Sequence, residues 1–134
     1  MRNLSSDTTD LLHRYVAAWN EADPARRRAA VRALYSERAL VVTPSLEVNG
    51  AEAILEHIGE VFAKYVATGD HRFRRTASTG HHRSVLLHWE LAVDGQPVAG
   101  SGLNVLFIGR DGRIEADHQF RELDPVLEPG SVTP

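Results

Sequence analysis

The chain has 134 residues, 43% hydrophobic and 25% charged, with a formal charge of −3; these values fit one globular domain with one core. It has no cysteine, which excludes disulfides, thiolate nucleophiles and Cys-ligated zinc. No signal-peptide pattern follows Met1-Arg2 and no apolar run reaches membrane-spanning length, so a cytoplasmic protein with no membrane partner is expected. The basic patches Arg26–Arg28 and Arg72–Arg75 are too small on a mildly acidic domain to argue for nucleic acid.

The first helix is predicted from about Asp7 to Ala22, with capping oxygens at Ser5, Ser6 and Asp7. Its inward stripe is Leu11, Leu12, Tyr15, Val16 and Trp19 at helical spacing. Asp23-Pro24 restarts the chain as a cap followed by a proline suited to the first helical position. The second helix then spans Pro24 to Tyr35, with Val31, Leu34 and Tyr35 inward and the triple arginine on its wet face. Ala39 to Thr43 reads as a short strand ended by Pro44, and Leu46 to Val48 as a second short piece. Asn49-Gly50 opens a third helix over Ala51 to Thr68, with Ile54, His57, Ile58, Val61, Phe62 and Tyr65 inward and Gly69 as its stop.

Long strands follow: His71 to Thr79, His82 to Val93, Gln96 to Ile108 and Arg113 to Leu123. Asp94-Gly95 and Asp111-Gly112 mark hairpins. Val85, Leu87, Trp89 and Leu91 alternate onto one face. Strands of about eleven residues span on the order of 36 Å and coil, so the sheet is expected to wrap around the helices. The fold class is therefore α+β, with three N-terminal helices on a strongly curved, mainly antiparallel sheet enclosing a pocket. The domain is expected over 1–123, with 124–134 a loose Pro- and Gly-rich tail. Leu103, Val105 and Phe107 point one way while Asn104, Leu106 and Ile108 point the other. Both faces are largely apolar and helices can cover only one, so a homodimer through the outer sheet face is expected.

Arg14-Tyr15-Val16-Ala17-Ala18-Trp19-Asn20 with Asp23, the run Asn49 to Ile54, His81-His82 with Trp89, Gly102, Asn104, and Asp111 to Ile114 leading to Phe120 together resemble the superfamily of nuclear transport factor 2-like proteins, SnoaL-like polyketide cyclases and ketosteroid isomerases. The resemblance runs from about Leu11 to Phe120. It implies a cone-shaped fold whose pocket holds a small hydrophobic molecule, with Trp19, Ile58, Phe62, Trp89, Leu106 and Phe120 as lining.

The resemblance also implies roles, residue by residue. Tyr15 matches the isomerase tyrosine that donates to a developing oxyanion, and Asn104 falls where the isomerase has the acid completing that hole. Thr43 falls where the isomerase has its basic aspartate, and threonine cannot do that work near neutral pH, so another base is needed. His57, on the inward stripe of the third helix, is one candidate. Asp117 and His118 on the last strand are the others. Alternation sets Ile114, Ala116, His118 and Phe120 on one face and Asp117 and Gln119 on the other, but a one-residue bulge would exchange them.

No metal and no cofactor are expected. The seven histidines show no ligand spacing, and the chain has no Gly-rich phosphate loop and no nucleophile elbow. Two readings remain. One is a cofactor-free isomerase, cyclase or dehydratase using acid–base chemistry, which requires Tyr15, Asn104 and a histidine around a cavity on the order of several hundred Å³. The other is a non-catalytic ligand-binding or dimerisation module, with a pocket plugged by Trp19, Trp89 and Phe62. A transport-type protein-binding role has the least support.

Overall fold

The computed structural model describes residues 6–68 and 70–121. The Gly69 stop, the Ser5 cap, the expected end of the last strand at Leu123 and the C-terminal tail lie outside the described residues. Helix α1 covers Ser6–Asn20 and α2 covers Pro24–Leu34. Asp23 accepts the Arg26 backbone N–H at 2.8 Å and Pro24 opens the helix, so the restart works by the expected cap. Strands β1 (Tyr35–Val42) and β2 (Glu47–Asn49) precede α3 (Ala51–Val61). A π-helical turn, Phe62–Val66, continues α3. Strands β3 (Arg72–His81), β4 (Ser84–Ala92), β5 (Gly100–Ile108) and β6 (Ile114–Arg121) complete the domain.

The six strands form one sheet in the order β2-β1-β6-β5-β4-β3. All neighbours are antiparallel except β1 and β6, which run parallel. This is the α+β, mixed-sheet architecture the residue pattern predicts, and the sheet does not close into a barrel. The core lies between the helices and the concave face of the sheet, built on Leu12, Val31, Leu34, Ile54, Ile58, Leu87 and Leu106, each with no exposed surface. Asn20 ties the end of α1 to β3: its amide donates to the Phe73 carbonyl at 2.7 Å and accepts the Phe73 N–H at 2.8 Å. That pair replaces a strand neighbour at the sheet edge.

Several expectations are corrected. Arg27 is buried rather than on a wet face. Its guanidinium donates to the Glu21 carbonyl at 3.0 and 2.7 Å, closing the C-terminal end of α1, and stacks 4.7 Å over the Phe62 ring. Arg28 alone of that trio reaches a carboxylate, Glu52 at 2.8 Å. Phe62 therefore packs toward α2 and not into the pocket. The π turn carries one extra residue; Val61 and Tyr65 of the expected stripe still line the pocket, and Val66 is buried in addition. Strand β5 begins at Gly100, not Gln96, because Pro97 has no N–H to give a ladder. The strand expected from His82 begins at Ser84 instead. His82 takes a positive φ of 52° at the turn and the two rings meet edge to face at 5.5 Å.

Candidate functional site

Helices α1 and α3, the π turn and strands β3 to β6 enclose a pocket of about 540 Å³ whose lining is mostly apolar. Trp19, Phe73, Leu87, Trp89 and Leu91 form its walls. Trp19 meets Phe73 edge to face at 6.3 Å, and Phe73 meets Trp89 the same way at 5.5 Å. The aromatics stand beside the space and do not fill it. Gly102 makes this possible: a Cβ there would lie 2.3 Å from Trp89 Cζ2 and 2.5 Å from the Phe120 carbonyl oxygen. Only glycine lets the Trp89 ring lie across β5 at that point.

The polar floor comes from side chains of α1, β1, β4, β5 and β6. Asn104 pairs across the sheet with Leu87 on one side and Gln119 on the other. Trp89 Nε1 donates to Asn104 Oδ1 at 3.0 Å, which fixes the amide so that Nδ2 donates to the Tyr15 hydroxyl at 2.7 Å. Tyr15 in turn donates to Asp117 Oδ2 at 2.8 Å. The donors thus all run one way, from indole to amide to phenol to carboxylate. Tyr35 donates to the same Oδ2 at 2.8 Å, and Gln119 Nε2 reaches it at 3.2 Å and Tyr15 at 3.4 Å.

Asp117 has no exposed surface, and its Oδ1 is buried without a hydrogen-bond partner. Desolvation pushes its pKa up from 3.8 to about 6, against the opposing effect of hydrogen bonds from Tyr35, Tyr15 and Gln119. Burial likewise raises both tyrosines well above their usual 10.0, and the Asp117 charge adds to it. Trp19 lies near enough to Tyr35 to favour its ionised form, yet its Nε1 makes no hydrogen bond of normal geometry. His57, half-buried, stands edge to face with Trp19 at 5.9 Å and lines the pocket from α3. Desolvation lowers its pKa from 6.5, so it is mainly neutral near pH 7.

The bulge in β6 sets which of the last-strand candidates faces inward. The register slips between Phe107 and Ile108 of β5. Ile114 and Asp117 are therefore both buried despite odd spacing. Asp117 and Gln119 face inward, while His118 lies on the outer face with its ring 5.8 Å from that of Phe107. Asp117 sits one layer below the pocket surface, covered by Tyr15, Asn104 and Gln119.

Trp19, Trp89 and Phe120 line the pocket, Phe120 at its rim. Ile58 and Leu106 are closed in the core instead. Thr43 lines the mouth, and its hydroxyl accepts the Leu46 N–H at 3.1 Å in the turn between β1 and β2. Tyr35 and Gln119 are site residues that sequence reading did not single out. Gln119 shares Asp117's alternation, which is a usable signal. Tyr35 meets a partner 82 positions away and leaves no local trace. Among the described residues no three His, Asp or Glu gather as a metal site would require, and no helix is long and apolar enough to cross a membrane.

The SnoaL-like domain profile matches residues 12–116. A proposed isomerase of the SnoaL-like family from Agrobacterium tumefaciens is 25% identical, with a TM-score of 0.80, covering 89% of this chain and 100% of that one. A proposed ketosteroid isomerase from Kribbella flavida is 19% identical, with a TM-score of 0.70, covering 96% and 87%. A proposed polyketide cyclase from Sinorhizobium meliloti is 18% identical, with a TM-score of 0.65, covering 86% and 99%. No curated protein matches the chain.

Proposed function

The chain belongs to the SnoaL-like family, and we propose that its pocket binds a small, mainly apolar molecule bearing a carbonyl and moves protons on it without a cofactor. The shared step of isomerisation, cyclisation and dehydration would be enolisation. The observation that carries this reading is the buried Asp117 behind Tyr15 at the floor of an apolar pocket. A passive container gains nothing from a desolvated carboxylate, which is costly to keep, and perturbed carboxyls in clefts cluster at functional sites.

Hydrogen-bond valence gives the mechanism. With Asp117 ionised, the Tyr15 proton is committed to Oδ2 and its oxygen accepts from Asn104. With Asp117 protonated, Tyr15 accepts from both Asn104 and Asp117, and its own proton is free to turn to a ligand oxygen. In the reactive form, neutral His57 takes a proton from the carbon beside the carbonyl. Tyr15 gives its proton to the oxygen and receives that of Asp117. An enol, a protonated His57 and an ionised Asp117 result. Return of the His57 proton to a different carbon, with the oxygen's proton going back through Tyr15, completes an isomerisation.

The signs for pH follow directly. Activity needs His57 neutral and Asp117 protonated, so it falls at low pH as His57 charges and falls above about 6 as Asp117 ionises. The test is deuterium incorporation beside the carbonyl of small ring ketones in deuterated water, followed by proton NMR across pH. Exchange should decline as pH rises through about 6 and again at low pH as His57 charges, and drop about a hundredfold or more in Tyr15→Phe. Equal exchange in Tyr15→Phe, or a rate that keeps rising through pH 8, would contradict the reading. The outer sheet face, where Phe107 is exposed beside Leu103 and Val105, supports a further proposal of a homodimer, which sedimentation checks.

A further inference from the structure

Charge around the pocket is one-sided. The chain carries a net −3, yet among the described residues no Asp or Glu lines this pocket, whereas Lys64, His71 and Arg121 do. Lys64 is the only lysine of the chain. Its ammonium rests 5.2 Å from the ring centroid of Tyr65, itself a lining residue, which holds the charge against the pocket wall. Arg121 follows Asp117 and Gln119 at alternating positions of β6 and pairs with Gly102. One face of that strand therefore runs from buried carboxylate to amide to cation at the mouth.

Arg14 and Arg74 are neutralised locally, by Asp10 and Glu90, although other exposed arginines, such as Arg38 and Arg110, make no ion pair among the described residues. Among the described residues, neither Lys64 nor Arg121 has an ion-pair partner. Of the described acids near these cations in sequence, Glu60 faces the cleft beside β2 and Asp70 is exposed before His71; Glu122 and Asp124 lie outside the described residues. A cation beside a low-dielectric wall attracts an anion more strongly than one in open water.

We infer that the substrate is two-ended: a carbonyl or hydroxyl oxygen at the Tyr15–Asn104 floor, an apolar body along Trp19, Phe73 and Trp89, and an anionic group, such as a carboxylate, held at the mouth by Lys64 and Arg121. This rests on the floor reading above and adds the charged end. The anionic end also orients the molecule, since the reverse placement would bury a charge against Asp117.

The probe is a hydroxynaphthoate whose hydroxyl and carboxylate sit at opposite ends of the ring pair, compared with its methyl ester by calorimetry. The acid should bind roughly three- to tenfold more tightly than the ester, the range that two exposed ion pairs supply. The preference should shrink at high salt and vanish in the Lys64→Gln, Arg121→Gln double variant, with ester affinity kept. A preference that is absent, or that survives in the double variant, overturns the inference. Ester binding that weakens in Tyr15→Phe would at the same time leave the floor reading standing. Binding of neither probe removes both.

Discussion

Replacing Asp117 by Asn should make the protein more stable above pH 6 relative to wild type, while abolishing the proposed activity. In the unfolded chain Asp117 titrates at its ordinary 3.8, and in the fold at about 6. A folded pKa raised above the unfolded one means that stability is fully present below 3.8 and is lost as pH rises through about 6. At 1.36 kcal/mol per pH unit the loss is about 3 kcal/mol. The group is completely buried, so solvent screening does not reduce it. Asn keeps the volume and an oxygen for the two tyrosines but cannot ionise. Denaturant unfolding of both proteins from pH 4 to 8 isolates the effect, because every other carboxyl cancels in the difference. The stability of Asp117→Asn minus that of wild type should climb by about 2.4 kcal/mol across this range, the rest of the change lying below pH 4. Parallel curves would refute the reasoning, since they would mean that Asp117 titrates alike in folded and unfolded chains.

Tyr35→Phe removes the first of the hydrogen bonds that hold the Asp117 pKa down. A bond to a charged group is worth about 1.5–3 kcal/mol, so the alkaline limb of deuterium exchange should move up by roughly one to two pH units, whereas a merely structural loss would leave its position unchanged. Gly102→Ala puts a Cβ into the Trp89 ring and the Phe120 carbonyl, so it should cost about 1–3 kcal/mol in denaturant unfolding and alter the Trp fluorescence. Arg27→Ala leaves the Glu21 carbonyl without its donor and strips the cover from Phe62, a loss of about 1–3 kcal/mol readable in the same unfolding assay.

The fold was largely legible because its signals are local. The Asp23-Pro24 cap, the Asn49-Gly50 break and the alternation of Val85, Leu87 and Leu91 each act within a few residues. Tyr15 and Asn104 were placed by resemblance, and the structure joins them at 2.7 Å. What sequence could not give depends on insertions or on distant partners. The β6 bulge, one residue near Glu115, turns Asp117 inward and His118 outward. The π turn after α3 shifts Phe62 away from the pocket. Arg27 reads as surface in any charge pattern and is buried where its guanidinium caps the Glu21 carbonyl just after α1. Tyr35 joins the site through a carboxylate on a strand that pairs with its own in parallel.

The central claim is that Asp117, behind Tyr15, keeps its proton up to about pH 6, far above the ordinary carboxylate range. A carbon-13 NMR titration of its side-chain carboxyl, assigned by the signal missing in Asp117→Asn, measures this directly. The account predicts a midpoint near pH 6, and a midpoint near 3.8 would contradict it.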